Sequence, residues 1–200
     1  MPVHAAVGDG ADNTCRVIGA AFGTALADAQ AGDEEAFACL FRGVQPALLG
    51  YLRVIAADAA EDVASETWLQ VVAGLGGFRG GEAAFRAWVF TIARHRAVDA
   101  GRARARRRTI RLDEDELRRG PTAPDAGEAA LEAISTQAVV ALLATLPRDQ
   151  AEIILLRVVA GLSNREVGRL VGKSPGAVRV AAHRGLRRLA TLVDREDVTA

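Results

Sequence analysis

Cysteine and histidine are scarce in this 200-residue chain: Cys15 and Cys39 are the two cysteines, and His4, His95 and His183 stand singly. They make neither a disulfide framework nor a zinc-ligand spacing, so no metal or other cofactor is expected and a reducing cytoplasm is the default compartment. Lysine is scarcer still. Of 25 basic residues all but Lys173 are arginine, a bias that a GC-rich coding sequence produces as readily as chemistry does, so the placement of arginine carries more weight than its amount. Long apolar runs are lacking too. The nearest approach, Val17 to Leu26, contains Gly19 and Gly23, is too short to span a bilayer and has only Arg16 as a basic flank; neither secretion nor membrane insertion is expected.

What is present is apolar material in quantity: half the residues are hydrophobic, enough for one or two real cores. The formal net charge of zero conceals segregation. Residues 91–111 hold eight arginines (Arg94, Arg96, Arg102, Arg104, Arg106, Arg107, Arg108 and Arg111) against Asp99, a net of about +7. Residues 164–188 carry about +6 and residues 112–135 about −5. Two basic segments therefore flank an acidic one, and local fields of that sign attract polyanions.

Residues 1–27 mix glycine, alanine and scattered acids without a sustained period and read as a loosely ordered extension with no assigned function. From Asp33 a helix is expected, with Phe37, Leu40, Phe41, Val44, Leu48 and Leu52 at helical spacing and acids at its N-terminus. Pro46 is expected to kink or interrupt it. A second helix, Asp58 to Val72, places Ala60, Val63, Thr67 and Val71 toward a core. Its other face gathers Asp58, Glu61, Asp62, Ser65 and Glu66 at i, i+3, i+4, i+7 and i+8, with Leu69 on the same arc flanked by Trp68 and Val72. A solvated acidic face is one reading; apolar side chains beside the acids favour a protein-binding surface.

Gly74, Gly76 and Gly77 end that helix, and Phe78 to Gly81 makes a tight loop. The third helix then sets Phe85, Trp88, Val89 and Ile92 on one strip, core rather than ligand contacts by default. The arginine run that follows is either a solvated charged tail or, given its amphipathic helix, a phosphate-tracking surface. Residues 112–130 lose periodicity, collect acids with Gly120, Pro121, Pro124 and Gly127, and read as a flexible linker. Helical patterning returns from Leu131 to Leu146, where Pro147 stops it, and again from Arg148 to Ala160, ended by Gly161.

The sharpest local signal comes last. Ser163 with Glu166 forms a capping-box pattern for a helix through Val171; Gly172 and Lys173 turn the chain; Ser174 caps a second helix with Pro175 at its first position. In that helix Val178, Ala182, Leu186, Leu189 and Val193 are expected to face inward and Arg179, His183, Arg184, Arg187 and Arg188 outward. A short helix, a tight turn and a longer basic helix make a helix-turn-helix, against the plainer reading of a helical hairpin with a basic surface. The expected fold is all-α: two small helical domains, residues 28–111 and 131–200, joined by the flexible linker 112–130, the C-terminal one containing the helix-turn-helix.

Three pieces in this order, AEDVASETWLQVV, FRGGEAAFRAWVFTIARHRAVDAGRARARR and LPRDQAEIILLRVVAGLSNREVGRLVGKSPGAVRVAAHRGLRRL, resemble the bacterial RNA polymerase sigma factors of the small extracytoplasmic-function (ECF) group, over about residues 30 to 195. The resemblance implies no catalytic centre. It implies that Asp58, Glu61, Asp62, Ser65, Glu66 and Leu69 dock on core RNA polymerase, whose beta-prime and beta subunits are the implied partners; Asp62 and Glu66 match acidic family positions, while Ser65 replaces a common glutamine. It implies that Phe78, Arg79, Trp88, Arg94, His95, Arg96, Asp99 and Arg102 open the minus-10 promoter element and hold an unpaired base, His95 standing where asparagine is common. Lys173, Ser174, Arg179, Val180, His183, Arg184 and Arg187 would read the minus-35 element, with Ala181 in place of a common arginine. The linker, with Asp113 to Glu116, would thread toward the RNA exit path, and an anti-sigma factor is a further implied partner.

Two other readings compete. A helix-turn-helix regulator acting without stable polymerase binding leaves the acidic helix and the Trp88 segment unused. A nuclease built on Asp99 and His95 lacks the clustered carboxylates that metal-assisted phosphoryl transfer requires.

Overall fold

The computed structural model of the chain describes residues 21–110, 142, 143 and 145–197. Among these residues the regular elements are helices and no strand occurs. The N-terminal half consists of α1 (Phe22–Gln30), α2 (Glu34–Ile55), a 3₁₀ turn (Ala57–Ala59), α3 (Ala60–Leu75) and α4 (Glu82–Ile110). The C-terminal half consists of α5 (Arg148–Ile154), which continues as a π-helical turn (Leu155–Val159), α6 (Asn164–Val171) and α7 (Pro175–Asp197). Residues 112–130, expected as a linker, and the start of the helix expected from Leu131, through residue 141, lie outside the described residues.

The first difference from expectation is α1. The extension assigned to residues 1–27 gives way to helix at Phe22, and Phe22, Leu26 and Ala29 are buried. Alanine and Gly23 blur the apolar period in the sequence; the helix gains its order by docking, with the Phe22 ring 5.6 Å from that of Phe85 on α4. The second is Pro46, inside α2 without ending it. Pro46 lies on the exposed side, where the carbonyl that loses its amide partner can be met by water.

Elsewhere the local chemistry works as the residues dictate. Asp33 caps α2 by accepting from Ala36 N at 2.8 Å, and Leu40, Val44, Leu48, Tyr51 and Leu52 line its buried face. On α3 the expected strip Ala60, Val63, Thr67 and Val71 is buried, joined by Ala64, Trp68 and Leu75. Burial of Thr67 is tolerated because its hydroxyl donates to Val63 O at 2.6 Å. Trp68 corrects the expectation that it flanks the docking face. Its ring packs 4.8 Å from Phe41 and 6.0 Å from Phe37, and its indole N–H donates to Gln45 Oε1 at 2.6 Å, so it belongs to the core.

In the C-terminal half the α6 capping box forms on both sides: Glu166 N donates to Ser163 Oγ at 3.3 Å and Ser163 N to Glu166 Oε2 at 2.7 Å. Gly172 closes α6 at φ +69°, the left-handed conformation that glycine adopts without a Cβ penalty. Gly168 permits the tight turn, since a Cβ there would lie 2.5 Å from Lys173 O. Val178 is fully buried and Ala182 and Leu189 are half-buried against the core. Leu186, expected inward, is instead 47% exposed. Gly185 takes its place: a Cβ at Gly185 would lie 2.6 Å from Ile154 Cδ1, so α7 meets α5 one residue away from Leu186. Val193, also expected inward, has its side chain outside the described residues.

The two halves touch. Tyr51 on α2 donates from its hydroxyl to Glu152 Oε1 at 3.1 Å, Arg94 Nε on α4 donates to the same oxygen at 2.8 Å, and Arg148 Nη2 donates to Ile55 O at 3.2 Å. Burial, then the Glu152 carboxylate beside it, pushes the Tyr51 phenol above its ordinary range.

Candidate nucleic-acid and partner interfaces

Three surfaces emerge from this frame, each carried by one helix. The first is the outer side of α3. Glu61, Asp62, Ser65 and Glu66 are exposed there, with Leu69 at 72% exposure and Val72 at 56%. The acids are not equivalent. Asp58, in the 3₁₀ turn, pairs with Arg104 at 2.9 Å and Glu66 approaches Arg96 at 3.9 Å, so both border α4. Ser65 Oγ donates to Glu61 O at 3.0 Å, which ties its hydroxyl into the helix. Glu61 and Asp62 form no ion pair among the described residues, leaving two carboxylates and two large apolar side chains facing outward together. That mixture suits a partner with an apolar, basic surface.

The second surface begins at the loop between α3 and α4. The half-buried Phe78 ring stacks on Trp88 with centroids 5.0 Å apart and planes 21° apart, and meets Phe85 edge-on at 5.5 Å. Trp88 sits close over α3 because residue 74 is glycine: a Cβ there would lie 2.9 Å from Trp88 Cζ2. Arg79 is exposed and folds back, donating to Gly76 O and Phe78 O at 3.0 and 2.7 Å. Helical periodicity continues the stack along α4, since Trp88, His95, Asp99 and Arg102 share one stripe of about 21 Å. His95, Asp99 and Arg102 are exposed, and Asp99 lies 3.7 Å from Arg102. Two expected members leave this stripe. Arg94 turns to Glu152, and Arg96 turns to α3, donating to Gln70 Oε1 at 3.2 Å. An aromatic platform leading into a polar and basic track is the combination that unpaired bases and their backbone require. Among the described residues no group of three His, Cys, Asp or Glu side chains gathers as a metal-ligand set.

The third surface is α7. Ser174 caps it by accepting from Ala177 N at 3.2 Å, which leads a basic helix out of a tight turn. Arg179, Val180, His183, Arg184 and Arg187 are exposed on one continuous face. No ion pair among the described residues neutralises Arg179, Arg184 or Arg187. Lys173 is the exception in this group, paired with Asp149 at 2.8 Å.

Residues that pattern reading passes over hold these surfaces in place: Gln30, which donates to Leu75 O and Phe78 O; Gln45, which fixes Trp68; and Glu152, which holds Tyr51 and Arg94. Each partner lies at least 23 positions away in the chain, so no local motif marks them. No helix among the described residues is long and apolar enough to cross a membrane.

Comparison with known proteins places both halves of the chain in one family. The family model for Sigma-70 region 2 matches residues 40–108 and that for Sigma-70 region 4 matches residues 136–189. The chain is 37% identical over 172 residues to the ECF RNA polymerase sigma factor SigD of Mycobacterium tuberculosis, covering 82% of this chain and 80% of SigD. It is 37% identical over 196 residues to the ECF RNA polymerase sigma factor ShbA of Streptomyces griseus, covering 92% of this chain and 99% of ShbA. Its fold is similar to that of the sigma factor RpoE in complex with the anti-sigma factor NepR from Bartonella quintana, with a TM-score of 0.59 at 24% identity over 79% of this chain and 96% of that one. With both sigma-70 regions in order on one chain, helices as the regular elements of its described residues, and near-full-length relatives of a single kind, the protein belongs to the ECF family of RNA polymerase sigma factors.

Proposed function

We propose that each of the three surfaces carries one step of promoter-specific initiation. The outer side of α3 docks on core RNA polymerase through Glu61, Asp62 and Leu69, with Asp58, Ser65 and Glu66 at its border. The Phe78–Trp88 stack captures an unpaired minus-10 base, and the stripe through His95, Asp99 and Arg102, entered beside Arg79, follows the backbone. Arg94 and Arg96 add charge to that track only when released from Glu152 and Gln70. The exposed face of α7 enters the major groove at minus-35, with Lys173 and Ser174 at its entry. The two halves fold as modules joined through residues 112–130, and in the free chain they meet at Glu152 and Arg148. The protein works in the cytoplasm beside the polymerase, without a catalytic centre of its own.

The single observation that carries this reading is Leu69, 72% exposed beside Glu61 and Asp62; a helix-turn-helix regulator acting alone has no use for it. Transcription reconstituted with core polymerase and promoter DNA tests the whole. Leu69→Asp combined with Asp62→Arg should abolish holoenzyme assembly in a pull-down, since breaking closely paired interface charges costs about 2–5 kcal/mol, while the helical content of the free chain stays native. Assembly at the native level by that variant would overturn the docking assignment. One structural neighbour is bound to an anti-sigma factor, and an inhibitor of that class is part of the proposal for this chain; its recovery with the tagged protein from uninduced cells, and loss on induction, is the check.

A further inference from the structure

The loop that presents Phe78 is anchored from outside both matched regions. Gln30, the last residue of α1, lies ahead of residue 40, where the region 2 match begins. Its Nε2 donates to Leu75 O at 2.8 Å and to Phe78 O at 2.9 Å. Leu75 ends α3, and its carbonyl is one of those a helix C-terminus leaves without an intrahelical partner. It accepts from Phe78 N at 3.0 Å as well as from Gln30. Phe78 O accepts from Arg79 Nη1 at 2.7 Å as well as from Gln30. One side-chain amide thus spans the loop from its entry to its aromatic residue. Both partners are carbonyls, which only accept, so the NH₂ end of the amide has to face them.

Gln30 is itself fixed. It is half-buried, and α1 is docked through Phe22, whose ring packs on Phe85 at 5.6 Å. Phe85 also contacts Phe78 at 5.5 Å and Trp88 at 6.0 Å. The apolar side of α1 therefore grips the floor of the aromatic stack while its terminal amide grips the loop above it.

We propose that Gln30 is a positioning residue for promoter opening: by bridging Leu75 O and Phe78 O it holds the Phe78 ring at the place where an unpaired minus-10 base is captured, and so sets how sharply that base is discriminated. The proposal rests on the reading of the Phe78–Trp88 stack as the capture surface. A seat held before binding spares the loop its ordering entropy when the base arrives, and a loop released from the bridge loses geometry as well as affinity. The selectivity device then includes α1, a helix whose own residues touch no DNA in this scheme.

The test uses holoenzyme assembled from core polymerase and the full chain. Gln30→Met keeps the length and removes the donor; Gln30→Glu turns a carboxylate toward two carbonyls; Gln30→Lys restores a donor to both. Strand opening is followed with a fluorescent base analogue in the minus-10 element, and transcription is measured on promoters carrying single-base changes in the minus-10 and minus-35 elements. Gln30→Met should slow opening and flatten minus-10 preference by roughly threefold to tenfold, the change that one net hydrogen bond carries. Gln30→Glu should do so more strongly, and Gln30→Lys should recover most of the preference. Core binding and the ranking of minus-35 variants should stay near native. Phe78→Ala serves as the reference. If Phe78→Ala loses minus-10 preference and Gln30→Met and Gln30→Glu both keep it, the positioning role is overturned and base capture stands; if Phe78→Ala keeps it, the capture reading falls and the proposal with it. Equal loss on every promoter, without rescue by Gln30→Lys, would make Gln30 a general stabiliser and also overturn the proposal.

Discussion

Lys173 Nζ lies 2.8 Å from Asp149 Oδ2 and ties the turn before α7 to the first turn of α5. The hydrogen bond from Lys173, then its charge, holds the Asp149 carboxyl below its ordinary range. A folded-state pKa below that of the unfolded chain gives a contribution that is fully present above the unfolded value and is lost as pH falls through the folded one. Both side chains are more than a third exposed, so solvent screening keeps the contribution small. Lys173→Met should raise the Asp149 midpoint into the ordinary carboxylate range, read by carbon-detected NMR titration. An unmoved midpoint would mean that the pair does not form in solution.

At the scale of the element, α7 separates two kinds of arginine. Arg179 lies one turn in from Pro175, where side chains of a helix-turn-helix reach base edges, and Arg187 lies about two turns further along. Arg179→Ala should cost roughly 1–3 kcal/mol and relax preference at one or two minus-35 positions. Arg187→Ala should weaken all sequences alike and lower the salt dependence. Holoenzyme on single-base promoter variants at two salt concentrations reads both; equal loss on every variant for Arg179→Ala would remove it from base readout. The helix itself was legible beforehand, because Ser174 and Pro175 state where it starts and capping chemistry acts within one turn. Leu186 departs from its expected inward placement for the complementary reason: periodicity gives a face, while the close approach at Gly185 decides which part of that face meets α5.

At the scale of the whole molecule, one carboxylate, Glu152, gathers two of the hydrogen bonds that join the halves. The Glu152 and Arg94 side chains are 13% and 26% exposed, and Tyr51 is fully buried. Glu152→Ala strands a phenol and a guanidinium together and should lower stability to urea by about 1–3 kcal/mol, the cost of an unsatisfied buried polar group. Tyr51→Phe removes the donor cleanly and should cost about 1 kcal/mol or less. Loss of neither would mean that the halves do not meet in free solution, as separate modules on the 112–130 tether would allow. Protease cleavage confined to that tether, leaving two helical fragments, is the matching observation for the modules themselves.

Helix class, the start of α2 at Asp33, the α6 capping box and the placement of charge follow from the chain alone, since propensity, capping and periodicity act over three or four residues. The same holds for the motifs that resemble sigma factors. Folding decided that Trp68 belongs inside rather than on the docking face, because Phe37, Phe41 and Gln45 arrive from another helix. It decided that α1 is a helix, because Phe85 supplies what its own sequence lacks. It also decided which arginines are committed: Arg94 to Glu152, Arg96 to Gln70 and Glu66, Arg104 to Asp58. Hydrogen bonds and ion pairs act over about 3 to 4 Å of space and are indifferent to separation along the chain, so no pattern within one segment could have assigned them.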